Sequence, residues 1–443
     1  MWKTIKWLYP GMGIKRWLTL GLASTMLVAL GIGFFYPQFF HGVSEIAIML
    51  TETRLGIANW LAGIILITTG LLMAGYALHR TFRVVVGELS PMEAGSVVDA
   101  IYTRRYLQYG PKIVVIGGGT GLSTLLKGIK EYTSNITAIV TVTDDGGSSG
   151  RLRGELGILP PGDIRNCLVA LADKESSMEQ VLQYRFTGGD IAGHSLGNLF
   201  LVALSDLSGG FYSGVRELSK VLAIRGKVLP STLQNVVMGA ELTDGTEVRG
   251  ESSVSKSSKK IRRIFLEPKE CQPLPETLEA IKEADAIILG PGSLYTSVLP
   301  NLLIEGVPDA IGLSKAMKVY VCNVMTQPGE TKNYTASDHL KAIERHGGRL
   351  LDYIMVNSEE IPERLIERYR SEGAAPVQAN IKKLERMGVK AIAEDLVQET
   401  NVVRHHPQKL ARAIIKLIFV SKTPSERVRF LRKYVSSGAR SQE

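Results

Sequence analysis

The chain has 443 residues, 45% of them hydrophobic and 21% charged, with a formal net charge of +9. That length exceeds one average domain and leaves room for two or three structural units with a sizeable core. Its three cysteines, Cys167, Cys271 and Cys322, lie far apart with no CxxC pair, which excludes a cysteine-based zinc centre and points to a reducing compartment for the soluble part.

No charged residue occurs from Trp17 to Phe40 or from Leu55 to Leu78. Each run can cross roughly 30 Å of hydrocarbon as a helix, so transmembrane helices are expected at 17–40 and 55–78. The first run is too long for a signal peptide and shows no small-residue cleavage site. Lys3, Lys6, Lys15 and Arg16 precede the first span and Arg80 and Arg83 follow the second, whereas the loop 41–54 has only Arg54 against Glu45 and Glu52. Short loops rich in Lys and Arg stay in the cytoplasm. The expectation is a multi-pass protein of the cell membrane, with 1–16 and the soluble part cytoplasmic and 41–54 external. Residues 79–111 read as a juxtamembrane linker ending at Pro111.

From Lys112 onward short apolar strands alternate with amphipathic segments, clearest in KIVVIG, ITAIVTVT, ADAIILGPG, KVYVCNVMT and LLDYIMVNS. This alternation predicts an α/β domain over 112–420, with a mostly parallel, doubly wound sheet and helices on both faces. VRGESSVSKSSKKIRRIFLEP is polar and basic and reads as an exposed hairpin or a connection between two halves.

The first strand runs into Gly117, Gly118, Gly119, Thr120 and Gly121. A dinucleotide fingerprint needs a third glycine where Leu122 stands, and no Gly-Lys-Ser/Thr follows to make a Walker loop. What remains is a glycine turn at a helix start, suited to phosphate or to a tight turn without ligand. The next strand ends in TDDGGSSGRLR. Asp144 and Asp145 leave it at the carboxyl end, where they can hold a divalent metal, bind hydroxyls or start a turn. Gly147, Ser148, Ser149 and Gly150 supply amides and hydroxyls, and Arg151 and Arg153 supply fixed cations for a diphosphate.

In LPPGDIRN, Asp163 is a candidate helix cap, with Arg165 and Asn166 facing the cleft if the helix points inward. GHSLGN matches G-x-S-x-G, but RFTGGDIA before it is no clear strand, which argues against Ser195 as a hydrolase nucleophile. His194 and Asn198 read instead as polar donors at a helix start. A second phosphate-type loop, Gly290, Pro291, Gly292 and Ser293, follows ADAIIL. If its strand neighbours the first at the switch point of the sheet, both loops border one crevice. Asn323, Thr326, Gln327 and Glu330 of NVMTQPGET read either as its rim or as a loop without function.

Ten Lys or Arg stand against Glu426 and Glu443 from Arg404 onward. The tail 421–443 therefore reads as a basic end, either solvated or lying on anionic lipid. Nucleic acid is not expected, since no aromatic and basic residues interleave.

Taken together, GGGTGLSTLLKGIK, TDDGGSSGRLR, LPPGDIRNCLVALA, GHSLGNL, GPGSLYTSVLPNLL and MTQPGETKNYTASDHL resemble the bacterial gluconeogenesis factor family, within the phospholactate transferase superfamily. The resemblance covers roughly Lys112 to Phe419 and leaves out both spans. It implies a Rossmann-like domain that binds a nucleotide sugar such as UDP-N-acetylglucosamine, with no required cofactor. It also implies a role in carbon partitioning, cell shape and envelope synthesis, with envelope-synthesis proteins as partners and homo-oligomers compatible. The glycine loop, Asp144 and Asp145 with Ser148 to Arg151, and the Gly290 to Ser293 loop would form the site. The transferase branch uses a divalent metal on acids at the positions of Asp144 and Asp145, but its next segment is less glycine-rich than GGSSGRLR. Transferase action on a nucleotide or phospho-acid donor is therefore the alternative to a binding role.

Overall fold

The structure, a computed structural model, describes residues 15–35, 59–89, 106–173, 177–257, 259–398 and 403–422. The basic tail beyond 422 and the loop 41–54 expected to be external lie outside the described residues. The chain divides into two compact units, Met1–Thr103 and Arg104–Glu443.

The first unit contains helices α1 (Lys15–Gly33) and α2 (Asn59–Leu89), both long and apolar enough to cross a membrane. Their bounds differ from the expected spans: α1 ends at Gly33, and α2 begins at Asn59 and continues well past Leu78. Apolarity sets how much chain can enter hydrocarbon, whereas the helix itself continues wherever backbone bonding does. Small residues let the two backbones approach closely. A Cβ on Gly31 would lie 2.6 Å from Ile67 Cγ1, and one on Gly70 2.7 Å from Val28 Cγ2. Trp17 meets Tyr76 edge to face at 5.7 Å, and Arg80 sits 5.4 Å over the Trp17 ring, so the helices run antiparallel.

The second unit contains strands β1 (Ile113–Gly117), β2 (Ile136–Val140), β3 (Lys227–Pro230), β4 (Val237–Leu242), β5 (Glu247–Arg249), β6 (Ile261–Glu267), β7 (Ala286–Leu289), β8 (Met317–Val321), β9 (Tyr353–Asn357), β10 (Lys390–Glu394), β11 (Val397–Gln398) and β12 (Arg404–His405). Its longer helices are α3 (Gly119–Ile129), α4 (Gly147–Leu156), α5 (Gly162–Leu171), α6 (Leu196–Leu207), α7 (Phe211–Val221), α8 (Pro275–Glu283), α9 (Ala336–Gly347), α10 (Glu363–Ser371) and α11 (Pro407–Ser421).

Seven strands form one sheet in the order β10-β9-β8-β7-β1-β2-β3, and every pair in it is parallel. The direction of winding reverses between β1 and β7, as in Rossmann-like sheets. Central strands are continuous apolar runs because both faces are covered; β1 and β7 are buried throughout. On one face Val115, Ala138 and Val319 pack against α3, α5, α6, α7 and α11. On the other, Val114, Ile139 and Ile287 pack against α8, α9 and a small antiparallel sheet ordered β5-β4-β6.

The polar stretch expected as an exposed hairpin or connection is instead built into this second sheet. Val254, Ile261, Ile264 and Leu266 point into the core, and the charged residues between them face solvent. Helix α11 crosses α3 so closely that a Cβ on Gly128 would lie 2.0 Å from the Pro407 carbonyl oxygen.

Candidate functional site

The pairing of β1 with β7 brings the two glycine loops together. The Gly290 amide extends the ladder by donating to Ile116 O at 2.9 Å. Gly119 opens α3 with φ +67, a conformation that costs little only for glycine. Gly118 has no space for a side chain, since a Cβ there would stand 2.7 Å from Asp163 Oδ2 and Thr141 Cγ2. Across the crevice, a Cβ on Gly121 would meet Pro291 O at 2.6 Å, and one on Gly292 would meet Gly118 O at 3.0 Å. Leu122, which breaks the dinucleotide fingerprint, is fully buried and anchors α3 to the sheet.

A cavity of about 350 Å³ opens between the loops. Gly119, Thr120, Gly121, Pro291, Gly292 and Ser293 line it, joined from the tip of β8 by Asn323, Thr326 and Gln327. Gln327 Nε2 donates to Ser293 Oγ at 2.7 Å, which ties the rim to the second loop. The far wall, not anticipated from sequence, is Tyr369 of α10 with Arg404 and His405 of β12. Among the described residues, Arg404 is the only Lys or Arg in this lining. Burial lowers the His405 pKa to about 4, so its imidazole is neutral near pH 7.

The remaining predicted residues sit beside this cavity and not in its lining. Asp163 is not a helix cap: Pro161 holds that position in α5, and the Asp163 carboxylate accepts the Gly119 amide at 2.7 Å. Ser148 Oγ meets His194 Nδ1 and accepts from Asn198 Nδ2, each at 2.9 Å, and Ser149 Oγ accepts the Gly162 amide at 3.1 Å. Both serines are thus engaged inside the protein. Gly150 is needed where it stands, since a Cβ would lie 1.9 Å from Asp145 O.

Arg151 donates to Ala192 O at 2.5 Å, and Arg153 to Asn235 Oδ1 at 2.7 Å. Arg165 is buried, and gives hydrogen bonds to Ser195 Oγ, to Asn198 Oδ1 at 2.7 Å and to Asn166 Oδ1 at 2.7 Å. Ser195 is itself fully buried and caps α6 by accepting the Asn198 amide. A structural cap pinned by an arginine is not a nucleophile elbow.

Carboxylates gather behind the glycine loop. Burial raises the Asp163 pKa to about 6, with Asp144 adding repulsion. Glu251, in the short helix Glu251–Ser255, rises to about 8 through burial and then repulsion from Asp144, Asp163, Glu330 and Asp145. Glu330 does not line the cavity. Buried, and with its pKa raised by that burial, it accepts from Tyr295 N at 3.0 Å and Thr296 Oγ1 at 2.9 Å.

The fit of this chain to a divalent metal is poor. Asp144 Oδ1 accepts the Gly146 amide at 2.9 Å and Asp145 Oδ1 the Ser252 amide at 2.8 Å. Among the described residues no three His, Cys, Asp or Glu side chains are grouped to hold an ion.

Comparison with known proteins places this architecture. Residues 113–397 match the family described as 2-phospho-L-lactate transferase CofD. The gluconeogenesis factor of Bacillus subtilis is 52% identical over 311 residues, which span 70% of this chain and 98% of that protein. The chain belongs to the bacterial gluconeogenesis-factor family.

A solved structure of a upf0052 family member from Bacillus halodurans is 53% identical and superimposes with a TM-score of 0.68, covering 69% of this chain and 99% of that one. A gluconeogenesis-factor relative from Nostoc sp. is 46% identical over 418 residues, 93% of this chain and 92% of its own length. That alignment reaches well into the N-terminal unit.

The sequence motifs located both glycine loops, but not the wall formed by Tyr369, Arg404 and His405. Those three lie in no glycine-rich or strand-end motif. The one signal available is that Arg404 opens the basic stretch running to the C-terminus.

Proposed function

We propose that this gluconeogenesis-factor protein binds a nucleotide sugar of the UDP-N-acetylglucosamine type in the crevice between β1 and β7. In this reading it is a membrane-tethered regulator linking carbon metabolism to envelope synthesis and cell shape. The observation that carries the proposal is the contact between the two glycine loops, which makes one cavity with Thr120 and Gly121 on one side and Gly292 and Ser293 on the other. Amides at a helix start and glycines without side chains suit a diphosphate, and Arg404 adds a cation to the same lining. Binding acts as a signal only through different affinity for two states of the protein.

Titration of the full chain in detergent with UDP-N-acetylglucosamine is expected to raise its melting temperature. A ligand at a hundred times its dissociation constant adds about 2.7 kcal/mol. Arg404→Ala should weaken that binding by about tenfold, the loss of one charge-assisted contact. An unchanged melting temperature in the unsubstituted protein would remove the reading.

The matching family description favours a second reading, a transferase acting on a nucleotide or phospho-acid donor. The poor metal fit of Asp144 and Asp145 weighs against its metal-dependent form, and steady turnover of the bound ligand would decide for it.

Tethering is supported by the glycine-lined contact of α1 with α2 and by the apolar side chains they turn outward, among them Leu22, Met26, Leu71 and Leu72. A Ser44→Cys variant tests the topology. All three native cysteines are buried, so an impermeant maleimide added to intact cells is expected to label only the new thiol. Protection of that thiol until the cells are opened would reverse the orientation.

A further inference from the structure

Between edge strand β6 and helix α9 lies a groove of about 920 Å³. Its walls carry five cations, Lys260, Arg262, Arg263, Lys341 and Arg345, against the two acids Glu241 and Asp338. Both acids are engaged. Glu241 accepts from Arg262 Nη1 at 2.8 Å and Arg263 Nε at 2.5 Å, and Asp338 accepts from Lys341 Nζ at 3.1 Å. Lys260 forms no ion pair among the described residues, and Arg345 donates to the Arg262 carbonyl at 2.5 Å. The Arg262 and Arg263 side chains remain 66% exposed. A concave surface with this surplus concentrates positive potential and is complemented by an anion.

The chemistry of the anion follows from what the groove already holds. Glu241 sits forked between two guanidinium groups, the arrangement arginine makes with carboxylates. Base stacking is not on offer, because Tyr295 is buried, its hydroxyl meets that of Tyr334 at 2.9 Å, and Tyr334 packs edge to face on Tyr295 and His339. The free edge of β6 is closed as well: the Ile264 amide donates to His346 Nε2 at 3.0 Å. An incoming chain would therefore bind through its side chains and not by adding a strand. A groove sunk between strand and helix also fits an extended chain better than a flat lipid surface.

We propose that this groove docks an acidic segment of a partner protein. The site does not depend on the nucleotide reading, although the two are neighbours: Tyr295 faces the groove, while Ser293 and Ser297, on the same short stretch, line the cavity.

The test uses the full chain in nanodiscs of neutral lipid and a fluorescein-labelled peptide of alternating Glu and Ser, followed by anisotropy. The peptide is expected to bind at low salt and to be released as salt rises. Lys260→Glu combined with Arg345→Glu should weaken binding at least about tenfold, and Lys269→Glu, outside the groove, less than about twofold. If the double reversal does not fold, Lys260→Gln with Arg345→Gln should give the same direction at an unchanged melting temperature. Absence of peptide binding, or equal binding by the double variants, would overturn the proposal. So would tighter binding of duplex DNA or phosphatidylglycerol vesicles through the same two residues.

Discussion

Gly121→Ala is expected to cost this protein most of its affinity for the proposed nucleotide sugar, by at least about tenfold, together with about 1–3 kcal/mol of stability. The added Cβ would lie 2.6 Å from Pro291 O, 2.8 Å from Pro291 C and 2.9 Å from Gly292 N. All three are backbone atoms, so no side chain can rotate away, and one loop must move from the other. Gly154→Ala is the matched control. It lies in α4, where a Cβ would meet nothing within 4 Å, so it should be neutral or stabilising by about 0.5–1 kcal/mol. Calorimetric titration and denaturant melts of the two variants make the comparison. Wild-type affinity in Gly121→Ala would show that the loop contact does not shape the site.

The carboxylate group behind the loop predicts an unusual pH dependence. Asp163 titrates near 6 and Glu251 near 8 in the folded protein, against ordinary values of 3.8 and 4.5. Both are raised, so the native state holds more protons than the unfolded chain across those intervals. Stability therefore falls as pH rises, between about 4 and 6 for Asp163 and between about 4.5 and 8 for Glu251. A tenfold change in proton affinity is worth about 1.4 kcal/mol, and the two losses together make several kcal/mol.

Glu251→Gln keeps the shape and removes the titration. Near pH 5 it should melt like the parent. Above pH 8 it should be more stable by at least about 1.4 kcal/mol, the value of a tenfold change in proton affinity. Parallel pH profiles for the two proteins would show that Glu251 is not the group responsible.

Much of the fold is legible because its strands are extreme. Ile113–Gly117 and Ala286–Leu289 are buried on both faces, and such strands must be written as unbroken apolar runs. The edges are less readable. β10 is only partly buried along its length, and β3 is four residues ending in Pro230, so neither carries the pattern of a central strand. The small sheet hides its core residues among the arginines and lysines of its solvent face.

The same division runs through the site. Gly121 and Gly292 are needed because two backbones touch there, and Gly118 because Asp163 and Thr141 leave no room for a Cβ. Asp163 follows a Pro-Pro-Gly turn, an ordinary capping context, yet its partner is the amide of Gly119 on another element. Local signals cannot report a partner set by tertiary packing. Arg404 is unreadable for a related reason, since only the return of β12 to the crevice places it in the lining.

Helix α11 rests on Gly128 at the far end of the helix whose first turn forms the crevice. The ribosome therefore makes the first loop of the crevice well before the helix that α3 lies against. Until Pro407 and the residues after it emerge, α3 lacks the surface it lies against.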